Sequence, residues 1–340
     1  MKIWIDARIC SEEGYYPAFV GELIESLVAQ SQNEHSFRIY TRKNLSLERK
    51  SFFTDFNEKK VFEKEKFALM LFFDQHVPVG YKGDFVVILE SLKEVFFPKH
   101  QWLHRHIYTW KLKRVLAKAQ KVYVLDTASA MELNEQLDIS EEKIGVIPGF
   151  FPKYKTPGEQ LQIDIKLKHN LRGDYLIYDS GNEVHNNFER ILKALKILKE
   201  KGKFLYLIIL CDETNRDIEV RNLTLQYQIT DQIMFLWSGN PELEEAYYRQ
   251  SKGVIFSSIY ESFPFAFTKA LHYGCQIFAN NIPAHKSVMD THICYLDPLS
   301  VHNMADSMYD TLSHSHKKDY SPLTERHSLN QTAKILLQSL

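Results

Sequence analysis

The sequence predicts an α/β protein built from two tandem Rossmann-like, doubly wound domains that face each other across a cleft. Short apolar or β-branched segments alternate with segments of helical periodicity, which is typical of parallel sheets covered by helices on both faces. Residues 148–158 (PGFFPKYKTPG) interrupt this alternation with three prolines and two glycines, and the alternation restarts after them. At 340 residues, the chain is long enough for two hydrophobic cores.

The predicted domain boundaries follow from that linker. Residues 1–150 form the first domain, residues 151–325 form the second, and residues 326–340 form a C-terminal helix, with packing back across the domain junction as one possibility. Ser328 is placed as the N-cap of this last helix. Its predicted apolar face consists of Ala333, Ile335, Leu336 and Leu340.

Individual elements are predicted from their periodicity. In the first domain, strands are expected over 3–5, 37–40, 67–73, 85–89, 122–125 and 144–147, and a helix over 18–30. In the second domain, strands are expected over 175–178, 204–210, 233–236 and 254–257, and helices over 188–201 and 242–250. Ligands of doubly wound sheets bind outside the carboxyl ends of the strands, so the ligand is expected there.

Composition favours an ordinary cytoplasmic protein. With 44% hydrophobic residues, 25% charged residues and a net charge of −1, the chain shows no general preference for a polyanion, and no nucleic-acid motif is present. Its four cysteines include no C-x-x-C pair, so neither a zinc site nor a disulfide framework is predicted. The chain opens on the core-strand pattern MKIWIDARI, and its longest apolar runs are too short to span a bilayer.

The sequence resembles the family 4 glycosyltransferases of the GT-B fold. In the second half, the resemblance is carried by YLIYDSGNEVHNNFERILKAL, by IMFLWSGNPELEEAYYRQSKGVIFSSIYESFPFAFTKALHYGCQIFANN and by SLNQTAKILLQSL. In the first half, it is looser and is carried by MKIWIDAR, FVVILESLKEVFFP, AKAQKVYVLDTASAMEL and EEKIGVIPGFF. The resemblance implies a retaining, metal-independent transfer of a sugar from a nucleotide-sugar co-substrate, such as a UDP- or GDP-sugar, with no cofactor.

Residues 257–297 contain the most informative pattern. Ser262 as N-cap, Pro264 in the first turn and Gly274 past the end predict a helix over 263–273. The free amides at the start of that helix would form an anion site for the donor phosphates. Glu261 precedes this helix, and the resemblance implies that it is the catalytic donor-site glutamate. An exposed glutamate at a strand end is the alternative.

Several positions depart from the family pattern. Lys269 stands where the resemblance places a second carboxylate that holds the nucleotide ribose, and His185 and Asn186 stand in place of two cations. Trp237 replaces a glycine of the nucleobase-side strand. One hypothesis is that Lys269 has taken over part of the anion binding, and a helix lysine that points to solvent is the alternative. The remaining residues assigned to donor binding are Gly14, Gly181, Ser262, Phe263, Pro264 and Phe265.

Two further features are predicted in the first domain. Glu90 is expected to face the acceptor as a carboxylate, although an ordinary strand-end residue is an equal alternative. Residues 95–125 contain no acidic residue, and their cations include Lys111, Arg114, Lys118 and Lys121 at helical spacing opposite apolar residues. Such a basic amphipathic helix indicates an anionic membrane surface, with a solvated helix face as the alternative.

Metal and nucleophilic chemistry find no support in the sequence. The chain contains no D-x-D, H-E-x-x-H or G-x-S-x-G motif, and His100, His104 and His106 are a cluster of three among its 14 histidines. Two functions from different classes remain. The first is a hexosyltransferase-type enzyme that acts on a glycan or lipid-linked acceptor of bacterial surface polysaccharide or glycolipid synthesis, peripheral to the inner face of the membrane. The second is a catalytically silent glycosyltransferase-like protein that serves as a partner subunit of an active homologue.

Overall fold

The structure, a computed structural model, divides into two compact units. It describes residues 1–31, 34–41, 53–55, 69–74, 77–78, 81–97, 102–154, 163–179, 186–211, 217–237, 241–314 and 318–340. The first unit comprises Met1–Pro152 and Thr324–Leu340, and the second comprises Lys153–Leu323. Each unit has its own parallel sheet, and the predicted fold class is confirmed in both.

The strands form two sheets. The first sheet consists of β1 (Lys2–Asp6), β2 (Ser36–Thr41), β3 (Phe53–Asp55), β4 (Leu69–Phe73), β5 (Phe85–Ile88), β6 (Lys121–Val124) and β7 (Ile144–Val146). The second consists of β8 (Tyr175–Tyr178), β9 (Tyr206–Cys211), β10 (Ile233–Trp237), β11 (Val254–Phe256), β12 (Ile277–Asn280) and β13 (Cys294–Leu296). Among the described residues, the strand order is β3-β2-β1-β4-β5-β6-β7 in the first sheet and β10-β9-β8-β11-β12-β13 in the second.

Helices connect these strands. Those of the first half are α1 (Tyr15–Gln30), α2 (Lys93–Phe96), α3 (Trp102–Lys118) and α4 (Thr127–Leu137). Those of the second half are α5 (Ile165–Lys168), α6 (Phe188–Glu200), α7 (Asp217–Gln226), α8 (Pro241–Gln250), α9 (Thr268–His272), α10 (Pro283–Met289), α11 (Val301–Ser313), α12 (Ser321–Arg326) and α13 (Leu329–Ser339). Among the described residues, no helix combines the length and the apolar character that crossing a membrane requires.

The first core lies between the sheet and its helices. Strands β4 and β5 are buried along their whole length, as expected of central parallel strands covered on both faces. Helix α1 buries one face through Phe19, Leu23 and Leu27. Helix α13 packs against α1 and is held to the body of the first unit by the Thr332 hydroxyl, which donates to the carbonyl of Pro148 at 2.6 Å. Ser328 occupies the N-cap position of α13, as predicted, but its side chain makes no capping hydrogen bond.

In the second unit, several predictions are confirmed closely. Strand β8 spans the predicted residues, and α6 ends before Gly202, which adopts a φ of +79°. One prediction is wrong: residues 263–273 do not form one helix capped by Ser262. A 3₁₀ turn over Phe265–Phe267 precedes the short helix α9. The reason is Pro264, whose φ of −79° and ψ of 63° form an inverse γ-turn instead of a first helical turn.

Candidate functional site

The candidate site lies at the carboxyl edge of the second sheet. The strand order reverses between β8 and β11, and connections that leave adjacent strands in opposite directions open a crevice at such a point. Asp179 follows β8 at this edge, Ser257 and Ser258 follow β11, and Asn280 ends β12. The site is therefore built from the ends of three neighbouring strands and the segments that follow them.

Asn186 ties the first of these segments to β11. The Ser257 hydroxyl donates to its backbone carbonyl, and the Tyr178 hydroxyl lies 3.3 Å from the same oxygen. Its side-chain Oδ1 accepts from the Ser258 hydroxyl at 3.1 Å. Asn186 is buried, so these bonds fix its position, and its assignment to donor binding stays a prediction. The sequence-predicted neighbours Gly181 and His185 lie outside the described residues.

Glu261 is held by a buried histidine that the sequence did not single out. The Nε2 atom of His285 lies 3.2 Å from Oε2 of Glu261, and its Nδ1 atom lies 2.7 Å from the carbonyl oxygen of Asn280. The His285 side chain is 0% exposed, while that of Glu261 is 20% exposed. Glu261 therefore stands between a buried partner and the solvent-facing side of the site. Pro283 is the sequence feature that could have indicated the position of His285. A proline at this place predicts the start of a helix, and His285 lies in the first turn of that helix.

The segment after Glu261 is apolar and tightly turned. Ser262, Phe263 and Phe265 are buried, and the two phenylalanine rings lie 4.9 Å apart between centroids. The amide of Phe265 donates to the carbonyl of Phe263 at 2.8 Å, and the amide of Phe267 donates to Pro264 at 3.0 Å. These two amides are thus used within the turn, which reduces the anion site that the predicted helix would have offered.

Lys269 lies among carboxylates. Its ammonium group forms an ion pair with Glu244 of α8, and the two side chains are 19% and 12% exposed. Burial lowers the pKa of Lys269, but Asp179 and Glu244 raise it by more, so the ammonium stays charged. The Tyr248 hydroxyl donates to the Asp179 carboxylate and fixes that second anion.

This cluster bears on the hypothesis that Lys269 contributes to anion binding. The formal charges of Lys269 and of the two carboxylates that act on it, Asp179 and Glu244, sum to −1. Sequence reasoning missed both carboxylates because neither lies in the motif that contains Lys269.

Trp237 and Gly14 occupy element ends. Trp237 is the last residue of β10 and pairs with Cys211 of β9, and its side chain lies outside the described part of the structure. Gly14, in the first unit, is exposed at the N-cap of α1 with a φ of +136°, a conformation that favours glycine.

Glu90 lies at the carboxyl edge of the first sheet, shortly after β5. Burial raises the pKa of its carboxyl group from 4.5 to about 7, with Asp74 adding to the rise and Lys93 opposing it. Asp74 follows the adjacent strand β4, and its amide donates to the carbonyl of Ile88 at 2.7 Å. The Tyr16 hydroxyl reaches the same carbonyl at 3.4 Å. The carboxyl group of Glu90 therefore exchanges its proton near neutral pH.

Helix α3 carries a surface that is both basic and apolar. Lys111, Arg114 and Lys118 are exposed, and Trp110 is 56% exposed beside them. The guanidinium of Arg114 lies 4.7 Å from the centroid of the Trp110 ring, within the range of a cation–π contact. The prediction for Lys121 is wrong, because α3 ends at Lys118. Lys121 begins β6, and its ammonium group donates to the carbonyl of Glu142 at 3.0 Å.

The described residues offer no cluster of metal-ligating side chains. No three His, Cys, Asp or Glu side chains of that part of the chain are grouped so that they could hold a metal ion. His100 of the histidine cluster lies outside the described residues. The site contains three groups of polar residues. Glu261 contacts His285, Lys269 lies among Asp179 and Glu244, and the hydroxyls of Ser257 and Ser258 bond to Asn186.

Solved structures identify the fold of the protein. The chain is similar to HepE of Anabaena in complex with UDP-glucose, with a TM-score of 0.70 at 14% identity over 100% of both chains. It is similar to sucrose-phosphate synthase from Thermosynechococcus elongatus, with a TM-score of 0.65 at 14% identity over 100% of this chain and 94% of that one. For WaaG, a glycosyltransferase involved in lipopolysaccharide biosynthesis, the TM-score is 0.63 at 12% identity over 100% and 96%. The fold is that of the GT-B glycosyltransferases.

A family model matches most of the second unit. Residues 162–328 match the model described as Glycosyl transferases group 1. The O-antigen chain mannosyltransferase RfbU of Salmonella typhimurium is 18% identical over 212 residues, which are 62% of this chain. The match spans only 56% of the length of RfbU.

Proposed function

We propose that the protein is a retaining glycosyltransferase that moves a sugar from a nucleotide sugar to a glycan or lipid-linked acceptor in bacterial surface polysaccharide or glycolipid synthesis. The observation that carries the proposal is Glu261, held by His285 at the strand-order reversal of a group 1 glycosyltransferase domain. The proposed substrates are supported by the similar proteins, which include an O-antigen mannosyltransferase, a glycosyltransferase involved in lipopolysaccharide biosynthesis and a protein in complex with UDP-glucose.

Glu261 is proposed to bind the donor sugar. A carboxylate accepts hydrogen bonds from hydroxyl groups, and its two oxygens can receive two of them. In a retaining transfer, the acceptor hydroxyl approaches the face from which the nucleotide leaves. The bond between the anomeric carbon and the phosphate oxygen breaks, the bond to the acceptor oxygen forms, and the acceptor proton passes to the leaving phosphate. Fixing the sugar removes rotational freedom that the reaction would otherwise have to lose.

The leaving diphosphate requires positive charge. Lys269 is a permanent cation at this edge, but it is paired with Glu244. A diphosphate would therefore have to displace Glu244 or share Lys269 with it. In the second case, Lys269 would hold Glu244 where its carboxylate can accept from ligand hydroxyls. Gly14, Gly181, His185, Trp237 and the buried turn of Ser262, Phe263, Pro264 and Phe265 remain proposed as further donor-binding residues.

In the first unit, the proposal assigns Glu90 to the acceptor and α3 to the membrane. Lys111, Arg114 and Lys118 would attract anionic headgroups, and the exposed Trp110 would enter the interface, where amphipathic aromatic rings are favoured. The protein is accordingly proposed to lie peripherally at the inner face of the membrane, beside lipid-linked acceptors.

A second candidate function is favoured by one observation. Because the charge of Lys269 is compensated by two carboxylates, the site lacks one expected source of anion binding. A protein with such a site would serve as a binding or partner subunit of an active glycosyltransferase.

A ligand screen distinguishes the two functions. Thermal unfolding is measured with UDP, GDP, UDP-glucose and GDP-mannose, for the wild-type chain and for Glu261→Gln. For an enzyme, one nucleotide family stabilises the wild type, because binding to the folded state raises its stability. The extra stabilisation by the sugar is then lost in Glu261→Gln. If none of the four ligands raises the melting temperature, the partner-subunit function is favoured.

A further inference from the structure

We infer that Glu244 is a specificity-determining residue that accepts hydrogen bonds from hydroxyl groups of the bound nucleotide sugar, and that Lys269 positions it. Because the site is the same, this role depends on the proposed function. Glu244 lies in α8 and Lys269 in α9, and 25 residues separate them in the chain. In this role, Lys269 holds a carboxylate for the ligand and does not itself bind the diphosphate.

The ion pair holds the Glu244 carboxylate in one position. The Lys269 side chain is 19% exposed, and its ammonium group donates to Oε1 of Glu244. The same ammonium lies 6.0 Å from the centroid of the ring of Tyr248, which follows Glu244 by one turn of α8. The Tyr248 hydroxyl donates to Asp179, whose carboxylate also acts on Lys269. Side chains restrained in this way have little rotational freedom left to lose, so the carboxylate is already oriented when a ligand binds.

One oxygen of the Glu244 carboxylate is left for a ligand. Oε1 accepts the hydrogen bond from Lys269, and no group in the described part of the chain donates to Oε2. The Glu244 side chain is 12% exposed, so it reaches solvent near the start of the helix that follows β10. An ionised carboxylate has about four acceptor sites, and the lysine occupies one of them. Acceptor capacity therefore remains for a hydrogen-bond donor of the ligand.

The neighbouring residue, Glu245, is paired in a similar way but is closed to a ligand. Its Oε1 accepts from Nε of Arg249 at 2.6 Å. Its side chain is 5% exposed, and its Oε2 is buried. A ligand hydroxyl cannot reach a buried oxygen without displacing the residues that cover it. Two adjacent glutamates of one helix thus have the same chemistry and differ in access, which makes Glu245 a matched control.

The charges around Lys269 favour a neutral hydrogen-bond donor over a phosphate. One ammonium and the two carboxylates of Asp179 and Glu244 give a formal charge of −1. A phosphate would be repelled by this charge and would compete with Glu244 for the ammonium group. A hydroxyl group donates to the carboxylate without that repulsion. A nucleotide sugar carries hydroxyls on its ribose and on its transferred sugar, and either set supplies this hydrogen bond.

The two possible roles of Lys269 predict opposite effects of Glu244→Gln. If Lys269 bound the diphosphate, the loss of the Glu244 charge would release the ammonium group and strengthen binding. If Glu244 binds a hydroxyl, the same replacement exchanges a charged acceptor for a neutral one, which forms a weaker hydrogen bond. The difference is about a factor of ten in affinity, so binding should weaken by about tenfold.

Calorimetry measures this effect with ligands that differ only in their hydroxyl groups. UDP-glucose, UDP and dideoxy-UDP, which lacks both ribose hydroxyls, are titrated into wild type, Glu244→Gln and the control Glu245→Gln. GDP-mannose, GDP and dideoxy-GDP are titrated in parallel. Thermal unfolding of each variant checks that it is folded at the temperature of the titration.

The ligands also distinguish the two sources of hydroxyls. If Glu244 binds the ribose, Glu244→Gln loses about tenfold with UDP and nothing with dideoxy-UDP. If Glu244 binds the transferred sugar, the loss is present with UDP-glucose and absent with UDP. Either result supports the inference when Glu245→Gln keeps the wild-type affinities. Unchanged or tighter binding by Glu244→Gln overturns it, and so does an equal loss for ligands with and without hydroxyls or an equal loss in Glu245→Gln.

Two variants of Lys269 test its positioning role. Lys269→Met removes the ammonium group, whereas Lys269→Arg keeps a cation that can pair with Glu244. Lys269→Met should lose affinity only for ligands that carry the recognised hydroxyls, and Lys269→Arg should keep the wild-type affinity. An equal loss in Lys269→Met for ligands that lack these hydroxyls would show that Lys269 binds the diphosphate, contrary to the inference. If wild type binds no ligand of either series, the proposed donor function fails as well, whereas a wild type that binds and a Glu244→Gln that binds equally reject the role of Glu244 alone.

Discussion

Replacing Glu90 by glutamine is expected to flatten the pH dependence of the stability of the first unit. Glu90 is partly buried, and burial together with Asp74 raises its pKa from 4.5 to about 7. Between those pH values, the folded chain holds a proton that the unfolded chain has released. The bound proton of Glu90 therefore contributes its full share to the free energy of unfolding below pH 4.5, and this contribution is lost as the pH rises through about 7.

The magnitude follows from the two pKa values. One pH unit over which the folded and unfolded states differ by one proton changes the free energy of unfolding by about 1.4 kcal/mol. Between a pKa of 4.5 and one of about 7, the total is about 3 kcal/mol. Glutamine has the shape of the protonated acid and does not titrate. Glu90→Gln should match wild type at about pH 4.5 and exceed it by up to about 3 kcal/mol at about pH 8.

The assay is urea unfolding at several pH values, for wild type, Glu90→Gln and the control Glu135→Gln. Glu135 is an exposed glutamate of α4 in the same unit, so its replacement should leave the pH profile unchanged. The reasoning is refuted if Glu90→Gln keeps the wild-type slope, or if it is less stable than wild type at about pH 8.

Four further predictions concern other parts of the molecule. Lys269→Met should lower the free energy of unfolding by about 1–3 kcal/mol, because it leaves a largely buried carboxylate unpaired. The charge swap of Lys269 and Glu244 should recover most of that loss in urea unfolding. Lys269→Glu should weaken nucleoside diphosphate binding in calorimetry if Lys269 contributes to anion binding. On α3, Arg114→Glu should make the free energy of binding to phosphatidylglycerol vesicles less favourable by about 2 kcal/mol, as measured by co-sedimentation. Trp110→Ala should weaken binding to these vesicles and to neutral vesicles as well. Burial raises the pKa of Cys10 from 9.0 to about 12, and a nearby aspartate adds a smaller effect. Alkylation of Cys10 near neutral pH should therefore be about a thousandfold slower in the folded chain than in the unfolded chain. Peptide mass spectrometry measures both rates.

Matched controls separate these effects from general destabilisation. Lys193 forms an exposed pair with Glu189, so Lys193→Met should cost below about 0.5 kcal/mol. Leu167 is 80% exposed in the second unit, and Leu167→Ala should leave vesicle binding unchanged. Equal losses in the control and the test variant would contradict the assigned roles of Lys269 and Trp110.

The fold was largely predictable because its signals are local. Strand β8 and helix α6 appear where a buried apolar run and a helical period stand in the sequence. The exceptions are local as well. Strand β3 has only three residues, too few to show a period. At Pro264, a turn forms where the start of a helix was predicted. A proline restricts φ but not ψ, so its presence does not ensure a helical conformation.

By itself, the sequence determined the two parallel α/β units and the position of Glu261 in the segment that follows β11, because apolar periodicity and turn residues act over a few positions. Only the tertiary structure decided what those side chains face. His285 reaches Glu261 from 24 residues away, and Glu244 reaches Lys269 from 25. Such contacts depend on how strands are ordered in the sheet, which periodicity does not encode. The lysine that looks like a free cation in the sequence is therefore a paired one, and the carboxylate that looks solitary is held by a histidine.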